Sequence, residues 1–128
     1  MFQRKIPRLV IAGLKGGAGK TVAALGLVRA WQKEGLKVVP FKKGPDYIDT
    51  GWLSQAAKNP CYNLDLFLMS GEIIRKSFVF RAKKADISVI EGNRGLFDGV
   101  DESGSSSTAE LAKLIDAPVI LVLDCSKT

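Results

Sequence analysis

No histidine occurs anywhere in the 128 residues. Within this chain that excludes a Cys-His or Ser-His nucleophilic pair and any histidine-ligated metal. Cysteine is nearly as scarce. Cys61 and Cys125 are the only two, too few for a disulfide scaffold. No apolar run approaches the roughly 18 residues that a membrane span requires. Residues 9–13, behind a basic stretch at 1–8, are too short for a signal-peptide core and lead straight into glycines. These lacks together predict a cytosolic protein with reduced thiols and no membrane partner.

What is present is ordinary for a globular fold: 46% hydrophobic and 25% charged residues, which argues against disorder and for one domain. Nineteen basic and thirteen acidic residues leave a net charge of +6. The basic residues are scattered, and the densest run, at 81–84, is short. This pattern reads as a solvated surface in preference to a nucleic-acid site, and it is compatible with an acidic small-molecule ligand.

Apolar periodicity divides the chain into alternating strands and helices. Strands are expected over 9–12, 38–41, 87–90 and 118–123. A helix is expected over 20–34, with Ala24, Leu27, Val28 and Trp31 inward and Gly35 as its stop. A short helix is expected near 52–57. Another, capped by Ser70, should run to about residue 83 with Ile73, Ile74 and Phe78 inward. A further one should run through Ile115, opened by a capping box of Ser107 and Glu110. Strands that are apolar on both faces, with helices between them, predict an α/β fold: a parallel sheet with helices on both faces. The chain stops just past the last strand, where domains of this class continue into another helix, so it is read as an incomplete domain.

The strongest signal lies between the first strand and the first helix. Gly13-Leu14-Lys15-Gly16-Gly17-Ala18-Gly19-Lys20-Thr21 is a glycine-rich turn into a helix N-terminus. Such a turn can aim backbone N–H groups and the positive helix end at a phosphate chain. Lys20 can reach the β- and γ-phosphates as a point charge, and the Thr21 hydroxyl suits Mg²⁺. The strict pattern wants glycine where Leu14 stands, and that departure leaves the loop geometry open. The reading is a P-loop for ATP and Mg²⁺, with Lys15, Gly16, Gly17, Ala18, Gly19, Lys20 and Thr21 as nucleotide contacts.

Magnesium needs further oxygen ligands. Glu91 ends the third expected strand, at the carboxyl end that faces the ligand crevice in sheets of this class. It therefore reads as the acid of a Walker-B-like element. Asp46 and Asp49, in the loop after the second strand, face the same crevice. Their spacing fits a shared cation and fits turn formation equally. Asp98 and Asp101 carry the same ambiguity. Asp124 ends the last strand, where nucleotide and substrate are both within reach.

Two resemblances extend this reading. Lys15-Gly16-Gly17-Ala18-Gly19-Lys20-Thr21 resembles the deviant Walker A loop of a P-loop subclass that includes partition and septum-site ATPases and the nitrogenase iron protein. In that subclass the extra lysine reaches a nucleotide across a dimer interface, so a homodimer is one implication. A solvent-exposed loop lysine is the equal alternative for Lys15. Residues 41–49, Phe41-Lys42-Lys43-Gly44-Pro45-Asp46-Tyr47-Ile48-Asp49, are similar to a loop of the cobyrinic acid a,c-diamide synthases. So are Asn63-Leu64-Asp65 and residues 89–99, Val89-Ile90-Glu91-Gly92-Asn93-Arg94-Gly95-Leu96-Phe97-Asp98-Gly99. Ser107-Thr108-Ala109-Glu110-Leu111-Ala112-Lys113-Leu114 and Ala117-Pro118-Val119 complete a likeness that covers residues 7–126.

The second resemblance implies that residues 1–128 are the N-terminal ATP-binding part of an amidoligase. Related amidoligases include cobyric acid synthase and the nickel-sirohydrochlorin a,c-diamide synthase, the latter an alternative reading for this chain, and dethiobiotin synthetase shares the ATPase fold. ATP would phosphorylate the a and c carboxylates of a tetrapyrrole polycarboxylate. Ammonia, supplied from glutamine by a separate glutaminase domain, would then displace phosphate. By matching positions, Lys20, Asp46, Asp49 and Glu91 become catalytic residues. Thr21, Asp46, Asp49 and Glu91 become metal ligands, and Tyr47 and Asp98 substrate contacts. The competing function is a dimerising, partition-type ATPase switch that makes no amide.

Overall fold

Period-two strands that are apolar on both faces need a helical layer on each side, and the chain supplies both. The computed structural model describes residues 6–17, 19–99 and 106–126. The elements are β1 (Arg8–Gly13), α1 (Lys20–Lys33), β2 (Val38–Lys43), α2 (Ile48–Ala57) and β3 (Tyr62–Leu64). They continue as α3 (Gly71–Ala82), β4 (Ile87–Gly95), α4 (Thr108–Leu114) and β5 (Val119–Val122). Every strand pair is parallel, in the order β3-β2-β4-β1-β5.

Alternation along the strands assigns each side chain to a layer. Ile11, Val38 and Val89 pack with Ala24 and Val28 of α1 and Leu53 and Ala57 of α2. Their neighbours Val10, Val39, Phe41 and Ile90 face the other way, against Ile74 and Phe78 of α3 and Leu111 of α4. Phe41 and Phe78, both fully buried, meet at 5.2 Å between ring centroids. Each such ring contributes about 1.5–3 kcal/mol through burial. The expected α/β architecture with helices on both faces is present.

The helix ends follow their local chemistry. Gly35, at φ +90°, closes α1: its N–H donates to the Gln32 carbonyl and that of Leu36 to Trp31, the two bonds of a Schellman end. The Ser70 hydroxyl accepts from Ile73 N at 3.2 Å, and the Ser107 hydroxyl from Glu110 N at 3.2 Å. Only half of the expected capping box forms, because the Glu110 carboxylate pairs with Lys113 at 3.0 Å.

Several expectations need correction. Ile73 is 54% exposed, not inward: Ile74 and Phe78, four apart, already cover the sheet, and Ile73 falls beside that stripe. The segment 62–64 forms an additional strand that pairs with β2. Three residues are too few to show an alternating pattern. The β4 strand runs to Gly95 instead of ending at Ile90, since backbone pairing with Gly13 carries it past the apolar run. Among the described residues β5 comes last in the strand order, and Val119, Ile120 and Leu121 are 38–46% exposed.

Candidate functional site

The carboxyl ends of β1, β2 and β4 converge beside the N-terminus of α1. Gly19, the cap residue of α1, is left-handed at φ 88° and offers no side chain to the free N–H groups. The first turn carries no acid. This helix end therefore presents uncompensated donors and positive dipole. Gly17, at φ 71°, supplies the other left-handed turn that the loop needs. Leu14 is not among the positive-φ residues and its side chain is largely exposed. Glycine is therefore not required at that position. Ala18 lies outside the described residues.

The loop is held from below by β4. Leu96 N donates to the Gly13 carbonyl at 2.6 Å. A Cβ on Gly95 would collide with the Leu14 carbonyl oxygen, so only glycine allows this approach. Asp98 fixes the same turn, its Oδ2 accepting from Gly95 N at 3.0 Å.

A cluster of charge sits on the α1/α2 side of the sheet. Lys42 and Glu91 are register partners in β2 and β4, so their side chains leave the sheet on the same face. Lys42 Nζ lies 3.2 Å from Glu91 Oε1 and 3.5 Å from Asp49 Oδ2, and donates to the Gly92 carbonyl at 2.8 Å. The Thr21 hydroxyl reaches Asp49 Oδ2 at 3.3 Å. Glu91 is fully buried. Beyond the Lys42 ion pair, its carboxylate oxygens have no hydrogen-bond partner among the described residues. Burial pushes the Glu91 carboxyl above its ordinary value, and the Lys42 charge opposes that rise.

Lys20 is 7% exposed, and its ammonium makes no hydrogen bond or ion pair among the described residues. Burial first, and then the Lys42 charge, draw its pKa down, while Glu91 and Asp49 draw it up. A buried cation without a partner is costly unless an anion arrives.

The structure thus brings together Lys20, Thr21, Asp49 and Glu91. Lys42 is the member that sequence reasoning passed over. Its signal was a lysine inside a wholly buried strand, one residue short of the carboxyl end. Asp46 stands apart: its Oδ1 accepts from Asp49 N at 2.9 Å and shapes the first turn of α2. Asn63 of β3 secures the same loop by donating to the Gly44 and Asp46 carbonyls. No group of three or more acidic or cysteine side chains suited to a metal occurs among the described residues. The oxygen set here is two carboxylates and a hydroxyl.

Tyr47 precedes α2 and is 87% exposed. Lys15 is exposed on the loop. Asp124 is exposed past β5, and its carboxyl is held below the ordinary range by hydrogen bonds from the hydroxyl and N–H of Ser126. Asp101 lies outside the described residues. No helix among the described residues is long and apolar enough to cross a membrane.

The chain is 54% identical over 121 residues to the cobyrinate a,c-diamide synthase of Magnetococcus marinus, which covers 94% of this chain and 26% of that protein. It is 50% identical over 119 residues to the same enzyme of Syntrophotalea carbinolica (92% and 26%). It is 47% identical over 122 residues to the hydrogenobyrinate a,c-diamide synthase of Streptomyces coelicolor (94% and 25%). The chain thus spans about a quarter of the length of these relatives. Residues 9–120 match the family described as the CobQ/CobB/MinD/ParA nucleotide binding domain, and the chain belongs to that family.

Proposed function

We propose that this chain is the Mg·ATP-binding, carboxylate-activating part of an a,c-diamide synthase acting on cobyrinate or a close relative of it. One observation carries the reading. Among the described residues, a buried lysine without a partner, Lys20, and a buried carboxylate without hydrogen bonds, Glu91, stand beside an uncapped helix N-terminus. A triphosphate satisfies the first and third of these, and a divalent cation the second.

The donor set fits magnesium. Thr21 Oγ1, Asp49 and Glu91 are all hard oxygen donors, and among the described residues the Glu91 oxygens make no hydrogen bond, only the Lys42 ion pair. When bound, Mg²⁺ would neutralise phosphate oxygens. Lys20 would hold the β- and γ-phosphates. Lys42 would keep Asp49 and Glu91 in place and offset their repulsion of an incoming anion.

The chemistry needs two anions brought together. A carboxylate oxygen of the substrate attacks the γ-phosphorus and ADP leaves, giving an acyl phosphate. Ammonia then attacks the acyl carbon. Phosphate departs with one former carboxylate oxygen, and the nitrogen loses a proton to give the amide. The ammonia would come from glutamine through a glutaminase segment, which this histidine-free chain does not contain in cysteine–histidine form.

The test is ADP release by this chain with ATP, Mg²⁺, ammonium and cobyrinate, with mass spectrometry of the corrinoid. ADP release stimulated by cobyrinate, together with amide product, supports the proposal. Failure to bind Mg·ATP refutes it. Nucleotide-dependent dimerisation that is lost in Lys15→Ala and indifferent to cobyrinate favours the switch ATPase instead.

A further inference from the structure

Two adjacent lysines close β2, and strand alternation sends them to opposite sides of the sheet. Lys42 enters the phosphate cluster. Lys43 faces the α3/α4 side, where it lines a cavity of about 240 Å³. Other walls come from Asp65, Phe67 and Leu68 after β3, from Asn93 and Arg94 at the end of β4, and from Asp98. No residue of the phosphate loop lines it. The cavity nevertheless adjoins that loop: a Cβ on Gly16 would stand 4.0 Å from the Arg94 Cα.

The cavity carries cations without partners. Lys43 is 7% exposed, yet its ammonium makes no hydrogen bond or ion pair among the described residues. Asp65 attracts it from beyond ion-pair distance, while Lys42 and Arg94 repel it, and burial weighs most in drawing its pKa down. Arg94 is exposed, and its guanidinium too has no partner among the described residues. Its backbone sits at φ 55°, a left-handed conformation that costs an arginine energy and is over-represented where a side chain must be aimed. The Asn93 carboxamide makes no hydrogen bond among the described residues. Phe67 and Leu68, 67% and 71% exposed, add an apolar shelf at the rim. Asp65 and Asp98 bring two carboxylates to the same walls, but each accepts from a backbone N–H, of Phe67 and of Gly95; the two cations, the neutral donor and the apolar shelf suit an anionic group on a largely apolar body.

We propose that this cavity binds a carboxylate of the acid substrate, with Lys43 and Arg94 as its cationic wall and Asn93 as a neutral donor. The inference rests on the proposed function, which requires a polycarboxylate to lie beside the nucleotide. A carboxylate seated here is not the one being phosphorylated. It anchors the molecule so that another carboxylate reaches past the end of β4 toward the γ-phosphate. Lys43 is therefore a binding residue for the acid and not for ATP, and Arg94, whose backbone borders Gly16 of the phosphate loop, turns its guanidinium to the acid.

The test is equilibrium binding of cobyrinate to this chain in the presence of Mg²⁺ and a non-hydrolysable ATP analogue. Lys43→Met and Arg94→Asn are the variants. The second is at an exposed site and keeps a residue that tolerates positive φ. Loss of a charge-assisted hydrogen bond predicts about tenfold or weaker affinity for cobyrinate in each, with affinity for the ATP analogue unchanged. Unchanged cobyrinate affinity in both variants overturns the subsite and leaves the proposed function standing. Equal weakening of cobyrinate and ATP analogue also overturns it. If tricarballylate binds in a Lys43-dependent way and cobyrinate does not, the subsite stands and the substrate reading falls.

Discussion

Replacing Lys42 by methionine would leave two carboxylates facing each other in a buried space. Lys42 and Glu91 have side chains 4% and 0% exposed, and that of Asp49 is 17% exposed. Removing one partner of a buried ion pair costs about 3–5 kcal/mol, because the stranded charge has lost its water and its counter-ion. For a chain of this size each kcal/mol lowers Tm by about 3–5 °C. The expected loss is therefore about 10–20 °C at neutral pH. Adding Glu91→Gln should recover most of it, with a coupling of about 2 kcal/mol between the two positions. The pH dependence has a definite sign. Burial already lifts Glu91 above its ordinary 4.5, and loss of Lys42 lifts it further. A carboxyl raised in the folded state binds protons more tightly there than when unfolded, so stability falls as pH rises through that interval. The Lys42→Met penalty should thus be largest at pH 7 and shrink as pH falls from the raised Glu91 value toward about 4.5, below which it no longer changes. Thermal unfolding of the wild type, both single variants and the double variant, followed by circular dichroism from pH 4 to pH 7.5, measures all of this. A Lys42→Met protein that melts within about 2 °C of wild type at neutral pH, or a penalty unmoved by Glu91→Gln, would refute the reasoning.

Three other predictions concern the same end of the sheet. Lys20→Ala should abolish ATP binding without lowering Tm, because it removes a buried cation that has no partner among the described residues; calorimetric titration and a melting curve on one sample check both halves. Gly95→Ala should destabilise the chain by about 1–3 kcal/mol or more and weaken nucleotide binding, since its methyl would collide with the Leu14 carbonyl; a protein with normal melting and normal ATP affinity would contradict that contact. The two thiols should separate cleanly at pH 8. Cys125 is exposed and should react quickly with a thiol reagent, whereas burial pushes Cys61 up to about 12 and should keep it inert until the chain unfolds.

Most of the fold was legible because its signals are local. The apolar run at 9–12, the glycines behind it and the 3.6-residue spacing of Ala24 and Val28 lie within a few residues of one another. Gly35, Ser70 and Ser107 mark helix ends through chemistry confined to a single turn. The Gly-Lys-Thr segment and the acid after Ile90 could be placed at strand ends on the same grounds. The strand at 62–64 escaped because three residues carry no period. The exposure of β5 among the described residues escaped because its apolar sequence reads alike whether or not its faces are covered.

What the residues determined alone is the alternating α/β order, the phosphate-binding turn and the acids able to serve a cation. Which of those acids meet was decided by tertiary structure. Lys42 faces Glu91 because β2 and β4 pair in one register, and Asp49 joins them because α2 packs beside α1. Asp46 is drawn into a turn instead. Pleat alternation then splits Lys42 from Lys43, sending one to the phosphates and the other to the cavity beyond. Local periodicity reports which face a side chain leaves by, but only the pairing of strands distant in sequence reports what it meets there.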